Sequence, residues 1–361
     1  MQILFYYSAL RIILYFCTMR RSFLLFLLAA VIVSCSKKSG EPEAAATRHF
    51  THDVLLKTTP VKNQGSSDIC WAYAMLATIE TEHLMQGVSV NLSADYLAYM
   101  LLREQTLRRA VIGSQPISTR GTLPMALRLM HRYGMEPYDT YRTKEGMSMK
   151  GVARHLQLMA DDQYHHPATL SEFDGAVVQT LDEMMGMVPH FVFMLSCEYT
   201  PGEFARSVCR AHEYEGITSF MHHTFYEETD LEMADNYYHD TFLNLPLDTL
   251  VSRVDSCLHR GHPVAWEGDT SEPGFSFARG LAILPDGEQA TAERRQRAFD
   301  TRRTTDDHCM EIVGIAHDDK GGKWYICKNS WGAGNPYRGF MYMSEQYFRM
   351  KTLVVMMPRG K

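Results

Sequence analysis

Gln64-Gly65-Ser66-Ser67-Asp68-Ile69-Cys70-Trp71 is a loop that runs directly into a helix. The glycine and the small polar residues favour a turn, and Trp71, Ala74, Met75, Thr78, Ile79 and Glu82 then recur at helical spacing. Ser66 to Asp68 supply cap candidates. Cys70 therefore stands at a helix amino end, where unpaired N–H groups and the macrodipole favour negative charge. A thiol attacks carbonyls as the thiolate, so such a position suits a nucleophile. A histidine set against it would complete a thiolate–imidazolium pair and later protonate a leaving amine. That histidine must come from elsewhere in the chain.

The late segments supply it. His308 enters the apolar run Met310 to Ala316, and Lys328-Asn329-Ser330-Trp331-Gly332 follows. With the Cys70 segment, these resemble the three signature motifs of the papain family, in that family's chain order. The resemblance implies a two-lobed α+β fold, a helical lobe carrying the cysteine and an antiparallel β lobe carrying the histidine and asparagine. It also implies the roles: Cys70 as nucleophile, His308 as base, Asn329 accepting from the imidazole under the cover of Trp331, and Gln64 donating to the oxyanion. One oxyanion donor is worth roughly 3–4 kcal/mol in the transition state.

Within the family the chain looks most like the bleomycin hydrolase and aminopeptidase C branch. The long stretch from Cys70 to His308 leaves room for the helical insertion of that branch, expected over about 145–245. The segments Thr304-Thr305-Asp306-Asp307-His308, Gly261-His262-Pro263-Val264-Ala265-Trp266 and Asn244-Leu245-Pro246-Leu247 resemble it too. Position 68 departs from the pattern: Asp68 stands where the family carries glycine, either beside the substrate or as a cap facing solvent. A carboxylate beside the thiolate would tend to raise its pKa. Arg120-Gly121 matches the segment that pairs with substrate backbone, which makes Gly121 a candidate binding residue.

Apolar spacing predicts further helices. Ser93 caps a run Tyr96 to Leu102, and others cover Leu123 to Tyr133 before Gly134, Met149 to Ala160, Ser171 to Met185 and Leu247 to Leu258. Strands are expected at Pro263 to Trp266, Glu311 to Ala316, Trp324 to Cys327 and Gly339 to Met343. Helices first and strands last argue for α+β architecture. The polar stretch Gln289 to Thr305, with Arg294, Arg295, Arg297, Arg302 and Arg303, reads as a solvated basic surface.

At 361 residues with 45% hydrophobic residues, the chain can bury a sizeable core. Its net charge of -6 comes from interspersed acids and bases, which argues against nucleic acid as a partner. Residues 1–34 read as a signal segment, with Met19-Arg20-Arg21 as the alternative start and an apolar stretch from Phe23 to Val33. Ile32-Val33-Ser34-Cys35 is similar to a bacterial lipoprotein signal, implying lipid on Cys35, a tether over 35–50 and a peptidase domain over 51–361. The resulting expectation is a bacterial cell-envelope protein held to a membrane outside the cytoplasm.

Six cysteines remain once Cys17 and Cys35 are set aside, and their irregular spacing suggests buried thiols. Cys197 with Cys209 is the one bridge considered. His165-His166 and His222-His223 are adjacent pairs whose side chains should point apart, so no metal is expected. No cofactor is expected either. The reading is a cysteine peptidase acting on peptides through a thioester acyl-enzyme, an aminopeptidase of the bleomycin hydrolase type. The alternatives are a papain-like endopeptidase and an inactive peptide-binding lipoprotein. The family branch includes hexamers, and the oligomeric state stays open. For an aminopeptidase, Asp68 is the expected anchor of the substrate α-ammonium.

Overall fold

The computed structural model describes residues 48–360, apart from positions 145, 195, 196 and 286. The expected signal segment, Cys35 and most of the tether lie outside the described residues. Strand β1 (Phe50–Leu55) precedes the loop that leads to α1 (Cys70–Met85). Helices α2 (Ala94–Ile112), α3 (Leu123–Tyr133), α4 (Met149–His165) and α5 (Leu170–Met185) follow. Their ends obey local chemistry. Ser93 accepts from the Tyr96 N–H, Ser148 from the Gly151 N–H, and Thr169 forms a reciprocal capping box with Glu172. Gly134 ends α3 at φ 93, and a Cβ there would fall 2.4 Å from the Pro201 carbonyl carbon. Only glycine suits both demands.

The region 145–245 holds the expected helices in its first part and strands in its second. After α4 and α5 come the hairpin β2 (Val192–Met194) and β3 (Cys197–Tyr199), then α6 (Pro201–Val208). Three strands follow, β4 (Tyr214–Thr218), β5 (Glu228–Asp230) and β6 (Thr241–Asn244). These three are short, and what makes them strands is tertiary pairing, because β4 joins the main sheet through its antiparallel partner near the carboxy end. Apolar spacing could not reveal that.

Helix α7 (Leu247–His259) leads to β7 (Val264–Gly268), then β8 (Phe275–Ser276) and β9 (Leu281–Ala282). Helix α8 (Ala292–Asp300) precedes β10 (His308–Asp318), β11 (Lys323–Lys328), β12 (Phe340–Ser344), α9 (Glu345–Lys351) and β13 (Thr352–Pro358). The sheet runs β5-β6-β4-β13-β7-β10-β11-β12-β9-β8. β1 pairs with the far half of β10, beyond the half that β7 occupies. Most pairs are antiparallel as expected, but β4–β6 and β12–β9 are parallel. β13 sits inside the sheet between β4 and β7.

Two cores result. One gathers α1 to α5 around Trp71, Met75, Leu97, Leu101 and Leu129. The other packs α7 and α9 on the sheet around Trp266, Ile312, Val313, Tyr325 and Phe348. Helix α1 lies between them and is buried nearly all round, including Thr78, Glu80, Thr81 and Glu82. Its buried acid is satisfied: Glu80 accepts from Lys62 Nζ at 2.6 Å, Thr59 Oγ1 at 2.5 Å and the Leu92 N–H at 2.7 Å.

Arg295 corrects the reading of 289–305 as solvated surface. Arg294, Arg297, Arg302 and Arg303 are exposed, but Arg295 is buried on α8. Its Nε donates to the Ser219 carbonyl at 2.9 Å, Nη1 donates to the Arg349 carbonyl at 3.1 Å, and the guanidinium lies 4.5 Å from the Phe220 ring centre. Burial, with Arg349 nearby, lowers its pKa to about 9. Among the described residues Cys70, Cys197, Cys209, Cys257, Cys309 and Cys327 are free, so Cys197 and Cys209 form no bridge. No helix among the described residues is long and apolar enough to cross a membrane.

Candidate active site

Cys70 is the first residue of α1, and the cap residue before it is Ile69, which offers no side-chain acceptor. The expected caps Ser66, Ser67 and Asp68 do not cap. The first turn thus keeps its positive end for the cleft. Trp71 ties the helix start to the facing segment by donating from Nε1 to the Thr119 carbonyl at 2.8 Å. A Cβ on Gly121 would lie 2.6 Å from Met125 Sδ and 3.3 Å from the Trp71 ring. Glycine there lets the chain pass close to Trp71.

His308 opens β10, and its Nε2 bonds to Asn329 Oδ1 at 2.8 Å. The same oxygen accepts from the Ser330 N–H at 2.7 Å. Nε2 is therefore the donor, which leaves Nδ1 to face Cys70. Trp331 covers the imidazole, with ring centres 4.4 Å apart. The Asn329 loop is laced to the Gln64 loop. The Gln64 N–H donates to the Ser330 carbonyl at 2.8 Å, and Ser330 Oγ donates to Gln64 Oε1 at 2.6 Å. Gln64 Nε2 donates to the Ser67 carbonyl at 2.6 Å, and its second N–H stays free of that bond. The site thus joins Gln64, Cys70, His308 and Asn329 from both lobes.

Cys309 was not singled out from the sequence beyond a buried thiol. Its thiol is the largest influence on Cys70: hydrogen bonding from Cys309, then from His308 and its charge, holds the Cys70 thiol well below the usual range. These outweigh desolvation, which pushes the other way. Cys309 itself is pushed well up, first by burial.

The segment before His308 is clamped from below. Buried Lys351 bonds through Nζ to the Arg303 carbonyl at 2.9 Å and to Asp269 Oδ2 at 3.3 Å, while the Thr305 N–H reaches the same Asp269 oxygen at 3.2 Å.

A group of acids gathers beside the nucleophile. Glu267 on β7 stands opposite Cys309 in register, so both side chains share the sheet face toward α1. Its Oε2 accepts from the Leu123 N–H at 3.0 Å. Asp306 carboxylate lies within bonding reach of Glu267, yet Glu267 Oε1 and Asp306 Oδ2 are both buried without a donor. Arg120 holds the outer edge, with Nε on Asp235 Oδ1 at 3.0 Å, Nη2 on Asp235 Oδ2 at 2.7 Å and Nη2 on the Asp306 carbonyl at 2.7 Å. Burial, and then the Asp235 charge, push the Asp306 carboxyl up to about 7. Burial, and then the Asp306 charge, push Glu267 well above the carboxylate range. A cleft of about 1050 Å³ is lined by Arg120, Asp306 and Asp307 from this side and by His222, Glu232 and Phe299 among others.

Asp68 lies elsewhere. Its carboxylate pairs with Lys150 of α4 at 3.3 Å and is partly exposed. His222 and His223 also differ from expectation. Their rings lie 4.0 Å apart and both Nε2 atoms bond to Glu232 Oε2, at 3.0 and 3.1 Å. Shared attraction to one carboxylate overrides the divergence of neighbouring side chains. Their ring nitrogens and the Glu232 oxygen come within 4.8 Å of one another, a spacing open to a metal ion. Gln296 Nε2 donates to His222 Nδ1 at 2.8 Å, which makes Nε2 the protonated nitrogen aimed at Glu232. That tautomer suits a hydrogen-bonded clasp and opposes a metal at Nε2.

No family model matches the chain. It is 23% identical to aminopeptidase C of Lactobacillus delbrueckii subsp. lactis, covering 86% of this chain and 82% of that protein. It is 21% identical to aminopeptidase W of the same organism, covering 90% and 88%. In structure it is similar to pepw from Lactobacillus rhamnosis HN001, at a TM-score of 0.68 and 18% identity over 86% of this chain and 82% of that one. The fold is thereby shared along most of both chains. The chain thus shares the papain-like peptidase fold and is similar along most of its length to aminopeptidases C and W.

Proposed function

We propose that the protein is a cysteine aminopeptidase that cleaves peptides through a thioester acyl-enzyme. The observation that carries this is the pairing of His308 Nε2 with Asn329 Oδ1 at 2.8 Å, which turns Nδ1 toward Cys70, a thiol whose pKa is lowered by its neighbours Cys309 and His308. In this reading the Cys70 thiolate attacks the carbonyl, and the oxyanion is met by the free N–H of Gln64 Nε2 and a backbone N–H at the start of α1. His308 then protonates the departing amine, and water attacks the thioester with His308 as base. Gly121 presents backbone to the substrate. The names of the two Lactobacillus relatives favour removal of amino-terminal residues over internal cleavage.

The reading extends to place. The Ile32-Val33-Ser34-Cys35 run favours a lipid on Cys35 and a position in the cell envelope, with peptides reaching the enzyme outside the cytoplasm. A peptide-library digest followed by mass spectrometry tests the activity. Stepwise loss of amino-terminal residues from free peptides, absent in Cys70→Ala, is the expected result. Internal cuts that ignore the amino terminus would favour an endopeptidase, and equal digestion by Cys70→Ala would remove the mechanism.

A further inference from the structure

The Glu267 and Asp306 carboxylates lie within bonding reach of each other, and Glu267 Oε1 and Asp306 Oδ2 are buried with no donor from the rest of the protein. Two such oxygens repel unless something positive lies between them. In the empty protein a shared proton serves. The neighbourhood gives little else, because Arg120 is already engaged by both oxygens of Asp235 and by the Asp306 carbonyl. His308 is engaged by Asn329 Oδ1 and faces Cys70. Three carboxylates therefore face one guanidinium, and the balance is negative.

The location gives this imbalance a use. Asp306 lines the large cleft, and its partner Glu267 is fully buried. Cys309 stands opposite Glu267 and touches Cys70, so a cation seated on the pair belongs to the part of a substrate next to the scissile bond. Other anchors are further engaged: Asp68 already faces Lys150.

We propose that Glu267 and Asp306 together form a subsite for a primary ammonium group of the substrate. An ammonium offers three donors and a charge, and can replace the shared proton while satisfying both orphaned oxygens. The proton released on binding goes to solvent. The proposal deepens the peptidase reading above and rests on it. The same chemistry is carried by a free amino terminus and by a lysine side chain.

The test is the second-order rate at which peptidyl chloromethyl ketones alkylate Cys70, which needs no turnover. Three reagents are compared: alanyl-phenylalanyl with a free amine, its acetylated form, and acetylated lysyl-phenylalanyl. Wild type is expected to react at least about ten-fold faster with an ammonium-bearing reagent than with the acetylated neutral one, the scale of one charge-assisted bond. Preference for the free amine identifies the amino terminus as the source, and preference for lysyl identifies the side chain. Glu267→Gln, which keeps an acceptor for Leu123, and Asp306→Asn, at the cleft lining, should each cut the ratio to about two-fold or less. The neutral reagent's own rate reports that each variant is folded. A wild-type ratio near one, or a ratio kept in both variants, overturns the subsite alone. Failure of every reagent to label Cys70 overturns the peptidase reading and the subsite with it.

Discussion

Cys309 stands beside Cys70, and hydrogen bonding from its thiol comes before His308 among the influences that lower the Cys70 pKa. Thiolate is present above the depressed pKa and is lost as pH falls through it. Removing the donor raises that pKa. Cys309→Ala should therefore move the acid limb of the alkylation-rate profile to higher pH, with the alkaline region little changed. An unmoved acid limb would show that His308 alone sets the thiolate.

Asn329 Oδ1 takes two hydrogen bonds, from His308 Nε2 and from the Ser330 N–H, so it fixes both the imidazole and its own loop. Asn329→Ala should lower kcat by about 10- to 100-fold while KM moves less, because the ring loses its orientation and not its charge. Equal losses in kcat and KM, with a changed near-ultraviolet circular dichroism spectrum, would indicate a collapsed loop instead.

Lys351 and Asp269 form a fully buried pair beneath the segment that delivers His308. Lys351→Met keeps the length of the side chain but leaves Asp269 charged and unpaired. The expected cost is roughly 3–5 kcal/mol of stability in urea unfolding, the scale for breaking one side of a buried pair. The double variant Lys351→Met, Asp269→Leu should recover part of it. No loss in the single variant would mean that the Ser271 and Thr305 donors suffice for Asp269.

Cys35 is the lipid acceptor in the envelope reading. Cys35→Ser should abolish incorporation of labelled palmitate and release the protein from the membrane fraction after cell disruption. Labelling that persists in the variant would remove the anchor.

The sequence alone pointed to the proposed catalytic set and to the longer helices α1 to α5 and α7. Cys70 can be placed at a helix amino end because the turn residues before it and the 3.6-residue spacing after it are local signals. The α3 segment is legible to the residue for the same reason, since its apolar stripe and Gly134 lie within one short window. Asn329 and His308 are legible because their flanking residues form contiguous motifs. The structure alone decided the rest, and each case involves partners far apart in the chain. β4, β5 and β6 are short segments that become strands only by pairing with β13 and with one another. Arg295 is buried because Ser219 and Arg349 carbonyls converge on it, which no charge pattern announces. Asp68, the carboxylate nearest to Cys70 in sequence, turns to Lys150, whereas Glu267 is set opposite Cys309 by the β7–β10 register. Local residue order specifies which groups can do chemistry. Which carboxylates stand beside the thiolate is set by strand register and desolvation, properties that arise only when distant segments share one interior.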